Sequence, residues 1–326
     1  MRDAIAAWEA ALTRDTGLNT RTITGYVRDV GRFAAWLCEQ QTGAMSLTPL
    51  MPTDLTAYDI KAYRDDLIRR GRAPATVNRA LISLGLFLEA TGRPGRNPVR
   101  VVDRVAEIER APRALTRVEW AAVRRAAAHL VDRDGGLALA LACLMRYAGP
   151  RVGEVAALQL PDVHLSARRG LLIIRRGKGL KRREVPLVLE AREPLQDYRA
   201  QRRTVADRWA RKAAVWGQSA PAWAAWPEGH LFLGQRGPLT ARGIHAIIAK
   251  LGQGAKLDVS LAPHDLRHTF AKALLDPMAY GLDRPSAPIT AVQELLGHTT
   301  IATTALYARS SHTDLARLMG EVLEPV

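Results

Sequence analysis

At 326 residues, with 48% apolar and 24% charged side chains, the chain has a globular composition and room for two cores, which excludes the disordered class. Its 47 Lys and Arg against 32 Asp and Glu leave a net charge of +15 and a sequence pI near 10.5, a surplus that calls for a polyanionic partner. Two isolated cysteines, Cys38 and Cys143, exclude a disulfide framework and a cysteine zinc site, and the most apolar run, Leu137–Ala148, is too short for a membrane span and carries Arg146.

Residues 4–12 predict a short helix, and from Thr20 the spacing of Ile23, Tyr26, Val27, Val30, Phe33, Ala34 and Leu37 predicts a longer amphipathic one. Thr56 and Asp59 form a capping-box pattern ahead of Ile60, Tyr63, Leu67 and Ile68, with Gly71 as the stop. Pro74 opens a further helix that carries Val77, Leu81, Leu84, Phe87 and Leu88 up to Gly92. These segments predict an all-helical first domain over residues 1–95. Arg64, Arg69, Arg70, Arg72 and Arg79 gather near one helix junction, either as contacts to a phosphate backbone or as a solvated face.

Residues 96–113, close to Pro94-Gly95 and rich in charge, read as the linker, and residues 114–326 as the second domain. Residues 1–110 carry 16 basic and 13 acidic side chains and the remainder 31 and 19, so the second part holds the stronger positive field. Thr116 and Glu119 repeat the capping-box pattern, and helices follow over Leu137 to Tyr147 and around Val152 to Leu158. Leu171 to Ile174 and Val185 to Val188, joined across Gly177-Lys178-Gly179, read as a β-hairpin with a basic tip. Residues 190–229 read as a helix and an irregular stretch in which Trp209, Trp216, Trp223 and Trp226 form either a flap on the domain or a contact to DNA or a partner subunit. Leu231 to Leu233 reads as a short strand, Thr240 as the cap of a helix to Leu251, and Pro263 as the start of another at His264. The fold class expected is mainly α with a small β-sheet, in two domains.

The chemistry-bearing residues recur at helical spacing. Arg151 and Glu154 stand three apart at a helix start, on one face, where the carboxylate can hold the guanidinium. His264, Arg267 and His268 stand at i, i+3 and i+4; a metal site there would need a third ligand, and Asp265 points off that face. Lys178 sits between glycines, with Lys181 close by, and Gly297 precedes His298 at a helix end. Tyr307 lies on the helix that follows. A tyrosine near pKa 10 is a poor nucleophile at neutral pH, so it needs a base and a cationic pocket.

The stretches GPRVGEVAALQLPDV, RRGKGLKRREVPL, HDLRHTFA and LLGHTTIATTALYA, in this order, resemble the tyrosine recombinase (phage-type integrase) family across the second domain, and the N-terminal helices resemble its core-binding domain. The resemblance implies site-specific cutting and rejoining of DNA through a 3′-phosphotyrosyl intermediate on Tyr307. It makes Arg151 and Arg267 the phosphate ligands, Lys178 the general acid, His264 the general base and His298 a further donor, with Glu154 in support. It implies no metal and no cofactor, a double-stranded DNA site as partner, and a homo-tetramer or hetero-tetramer on that DNA, while the two unpaired cysteines point to the reducing cytoplasm. A relaxing type IB topoisomerase and a DNA-binding architectural protein without catalysis are the rival readings. Two features depart from the family pattern: Pro150, where Leu is usual, and the long loop 276–288. Leu315, Leu318, Met319 and Val322 give a terminal helical face, for docking on a neighbouring subunit or on its own domain.

Overall fold

The computed structural model describes residues 1–41, 51–92, 95–106, 113–175, 182–215, 229–234, 237–283 and 285–297. The chain divides into two compact units, Met1–Glu109 and Arg110–Val326. Among the described residues no helix is long and apolar enough to cross a membrane.

In the first unit the helices are α1 (Arg2–Asp15), α2 (Thr20–Gln41), α3 (Ala57–Arg69) and α4 (Pro74–Thr91). The capping box expected at Thr56 forms: its N–H donates to Asp59 Oδ2 at 2.8 Å, while the Asp59 N–H donates to Thr56 Oγ1. Gly71 ends the turn after α3 in the left-handed region at φ +66°, where a side chain would be strained. Apolar stripes from the four helices close over Trp8, Phe33, Tyr63, Leu84 and Phe87, with Trp8 and Phe87 edge to face at 5.3 Å. The short turn of 3-10 helix at Pro98–Val101 and the buried Val102 pack on this same core.

The second unit is built around α7 (Leu137–Ala148), which follows α5 (Arg117–Ala128) and α6 (Val131–Asp134). A helix apolar on every side belongs inside a core, and ten of the twelve residues of α7 are buried. Each large aliphatic side chain removed from water here contributes about 2 kcal/mol. α8 (Val152–Ala157) leads into β1 (Val163–Leu165), β2 (Gly170–Ile174) and β3 (Arg183–Pro186), a three-stranded antiparallel sheet in chain order. The ladder pairs Leu172 with Val185 and Ile174 with Arg183. β1 had no sequence signal, since three residues are too few to show alternation.

α9 (Leu189–Val215) packs on α7, and then β4 (Leu233–Gly234) and β5 (Gly237–Pro238) form a two-stranded ladder. Here the strand expected at residues 231–233 is shorter in ladder terms. Leu231 instead donates its N–H to Leu158 O at 2.7 Å, and Phe232 O accepts from Leu239. α10 (Ala241–Gly254) starts at the Thr240 cap, α11 (Pro263–Leu275) at Pro263, and α12 (Ile289–Leu296) ends on Gly297 at φ +64°. The result is a mainly helical chain with small antiparallel sheets. Trp216, Trp223, Trp226 and the terminal segment 315–322 lie outside the described residues.

Candidate active site

Three arginines converge on the end of α12. Arg151 stands at the N-cap of α8, and its own N–H donates to Glu154 Oε2 at 2.8 Å, a capping box closed by the carboxylate. Its guanidinium donates through Nη1 to Glu154 Oε1 at 3.0 Å and through Nη2 to Gly297 O at 3.0 Å. Arg267, 1% exposed, reaches from α11 to Leu296 O at 2.7 Å and to Gly149 O. Arg183, at the start of β3, donates through Nε to Leu295 O at 2.9 Å. It also grips both oxygens of Glu154, at 2.9 and 2.7 Å.

Each of these contacts has a local cause. Carbonyls of the last helical turn lack intrahelical partners and carry the negative end of the helix dipole, so cations gather there. Gly297 can turn left-handed, and a Cβ on it would lie 2.9 Å from Arg183 Nη1. Gly149, at φ +62°, ends α7 directly before Pro150-Arg151, and the Phe270 ring of α11 fills the place a side chain would take. Thr269 fixes α11 by donating to Asp265 O and accepting from the Leu115 N–H at 2.9 Å. Asp265, the acid between the two histidines, is used as the helix cap: it accepts from the Ala262 N–H at 2.7 Å.

Glu154 is buried, which alone would raise its carboxyl. The Arg183 hydrogen bonds and charge, the Arg151 N–H and the Arg151 charge outweigh burial and hold it below the usual carboxylate range. His264 presents one side to solvent, and its ring lies 4.0 Å from that of the buried His268. Desolvation of its packed side, followed by the charge of Arg267, lowers its pKa; Asp265 pulls the other way, and Arg151 adds the smallest push downward. A neutral imidazole at neutral pH can accept a proton.

Of the residues expected at the site, the structure brings together Arg151, Glu154, Arg267 and His264; Lys178, His298 and Tyr307 lie outside the described residues. Arg183 was not expected. Strand alternation places it on the face of buried Val185, and a charged residue on a core face demands a carboxylate partner, so the signal was present in RREVPL. Among the described residues no three His, Cys, Asp or Glu side chains are gathered as a metal site requires. In the first unit, Arg79 grips buried Asp29 at 2.8 and 3.0 Å, and Arg64 pairs with Asp65 at 2.7 Å. Arg69 and Arg70 flank Asp66 at 3.5 and 2.6 Å, while Arg72 is exposed.

Residues 125–314, more than half of the chain, match the model of the phage integrase family. The chain is 33% identical over 330 residues to a tyrosine recombinase XerC of Methylobacterium sp. (strain 4-46), covering 98% of this chain and 92% of that relative. Among solved structures, a lambda integrase (75–356) dimer bound to a COC′ core site superposes with a TM-score of 0.65 at 16% identity, over 96% of each chain. The XerH recombinase bound to palindromic difH substrate, a post-cleavage complex, gives 0.60 at 19% identity over 98% of this chain and 84% of the other. The two structures share the fold described above.

Proposed function

We propose, for a chain that belongs to the phage integrase family of tyrosine recombinases, that Tyr307 is the nucleophile and the guanidiniums at the end of α12 form the phosphate pocket. The chain is a site-specific recombinase that cuts and rejoins DNA strands. In the proposed step the Tyr307 oxygen attacks a phosphodiester phosphorus, a 3′-phosphotyrosyl bond forms, and the 5′-oxygen leaves as a hydroxyl. His264, neutral at neutral pH, takes the phenol proton, and Lys178 gives one to the leaving oxygen. Arg151 and Arg267 stabilise the charge that builds on the non-bridging oxygens, and His298 adds a donor. Glu154 holds Arg151 in place through two hydrogen bonds. The phosphotyrosine conserves the energy of the broken bond, so rejoining needs no nucleotide.

One observation carries this reading: the guanidiniums of Arg151 and Arg267, from segments 116 residues apart, meet on consecutive carbonyls, Gly297 and Leu296, directly before His298 and ten residues before Tyr307. The site is double-stranded DNA of specific sequence, bound by protomers that pair on each site and assemble as four for exchange, in the cytoplasm. Arg64, Arg69, Arg70, Arg72 and Arg79 are proposed backbone contacts of the first unit, although all of them except Arg72 already pair with carboxylates.

The test uses a nicked suicide duplex carrying a sequence selected by the protein from a random pool. Incubation in EDTA traps a covalent adduct with the wild type and none with Tyr307→Phe. An adduct on the Phe variant, or none on the wild type, overturns the assignment.

A further inference from the structure

We propose that Arg183 is a positioning residue for strand cleavage, tying the strand pair that carries Lys178 to Glu154 and to the end of α12 in one rigid frame. The inference rests on the reading of Arg151 as a phosphate ligand, because Arg183 acts through the carboxylate that holds Arg151.

Arg183 has no route to the reacting atoms itself. Its side chain is 8% exposed, and its Nε, Nη1 and Nη2 all donate to protein acceptors: Leu295 O, Glu154 Oε1 and Glu154 Oε2. Arg151 shares the same carboxylate but is 28% exposed, so one guanidinium faces outward while the other is committed inward. The fork geometry matters, because a planar guanidinium can grip both carboxylate oxygens and still reach a carbonyl through Nε, which an ammonium cannot. Gly297 shows the same fit from the other side: a Cβ there would lie 3.2 Å from both Cδ and Cζ of Arg183.

The position of Arg183 in the sheet gives the frame its reach. It pairs with Ile174, the last residue of β2, so it stands at the end of the ladder from which the Lys178 connection departs. The opposite strand is anchored in the same way, since Arg175 Nε donates to Asp162, a buried acid that caps its own helical turn by accepting from the Gln159 N–H at 2.9 Å. Both stems of the connection are therefore pinned by an arginine to a capping acid. Only the Arg183 anchor also touches α8 and α12, the segments that present Arg151 and lead into His298. Three catalytic elements thus share one side chain.

The experiment measures single-turnover cleavage of the selected duplex at saturating DNA, together with DNA affinity, for Arg183→Met, Arg183→Lys, Glu154→Gln and the Met/Gln double variant. A misplaced phosphate pocket costs about 100-fold in the cleavage rate constant of Arg183→Met, with affinity changed by less than about threefold. Lysine restores at most about tenfold of that loss, because it keeps the charge without the fork. The double variant falls no more than about threefold below the slower single variant, since both substitutions break one unit.

Cleavage by Arg183→Met within about threefold of wild type overturns the proposal. So does a loss confined to DNA affinity, and so does a double variant whose effects multiply. If Arg183→Met does not fold, Arg183→Lys decides, with a wild-type cleavage rate overturning the proposal. Absence of an adduct from the wild type overturns the parent reading and this inference together, whereas a wild-type adduct with an unimpaired Arg183 variant overturns this inference alone.

Discussion

Glu154→Gln is the most informative substitution in the second unit. The side chain is 5% exposed, and its two oxygens accept from the Arg151 N–H, the Arg151 guanidinium and both arms of Arg183. Glutamine keeps the shape but removes the charge, and it turns an amide NH2 toward guanidinium N–H groups. Removing one member of a buried ion pair leaves the other uncompensated and costs about 3–5 kcal/mol. Domains of this kind hold about 5–15 kcal/mol, so the variant folds with a reduced margin.

Urea unfolding of the second unit, followed by far-UV circular dichroism at neutral pH, measures the loss. The pH dependence gives an independent check. Because the folded carboxyl is held below its ordinary value, its contribution is complete at and above the unfolded value, about 4.3, and disappears as the pH falls through the lower folded value. The gap between wild type and variant therefore stays constant from neutral pH down to about 4.3 and closes below it. A loss under about 1 kcal/mol, or a gap that closes already between neutral pH and 5, refutes the claim that this carboxylate organises the arginines.

Three further outcomes follow from the same contacts. Gly149→Ala meets a left-handed φ of +62° and the Phe270 ring, with Cε1 at 2.9 Å, and destabilises the second unit by about 2–4 kcal/mol in urea unfolding; a neutral effect would show that Phe270 moves aside freely. His264 titrates below its ordinary 6.5, so the cleavage rate is flat through neutral pH and falls only below 6.5. His264→Ala lowers the plateau by about 100-fold and abolishes that acidic limb, and a limb that persists in the variant assigns it elsewhere. Cys143 is buried, which pushes its thiol up to about 12, whereas Cys38 is exposed. Mass spectrometry after iodoacetamide treatment of the native protein shows Cys38 alkylated and Cys143 untouched, with both modified in urea.

Most of the helical frame was legible because its signals are local. Thr56 with Asp59 and Thr116 with Glu119 place caps from four residues of sequence, and Gly297 marks a helix end by its own freedom of φ. The hairpin strands were legible from β-branched and aliphatic runs, although β1 was too short. The pairing of Arg151 with Glu154 was also visible, being a contact three residues apart. What sequence spacing could not show were contacts fixed by tertiary packing: Arg151 on Gly297 across 146 residues, Arg183 on Leu295 across 112, and Arg267 on Gly149 across 118. The acceptors in these cases are main-chain carbonyls, which every residue owns, so residue identity carries no trace of them.

That choice of acceptor bears on the proposed chemistry. Arg151 and Arg183 share one carboxylate, Glu154, so this pair of guanidiniums carries one unit charge more than its acid beside the end of α12. Had Arg151 and Arg183 each been held by its own acid, the arrangement would be as rigid but neutral. Carbonyls at the end of α12 supply the geometry with only fractional charge, about half an electron for the whole helix end. At about 4 Å and an effective dielectric of about 20, that remaining unit charge is worth about 4 kcal/mol to an added negative charge on a phosphate. Replacing a carbonyl contact by a carboxylate would spend that field inside the protein, which is why the end of a helix suits a pocket meant for an anion.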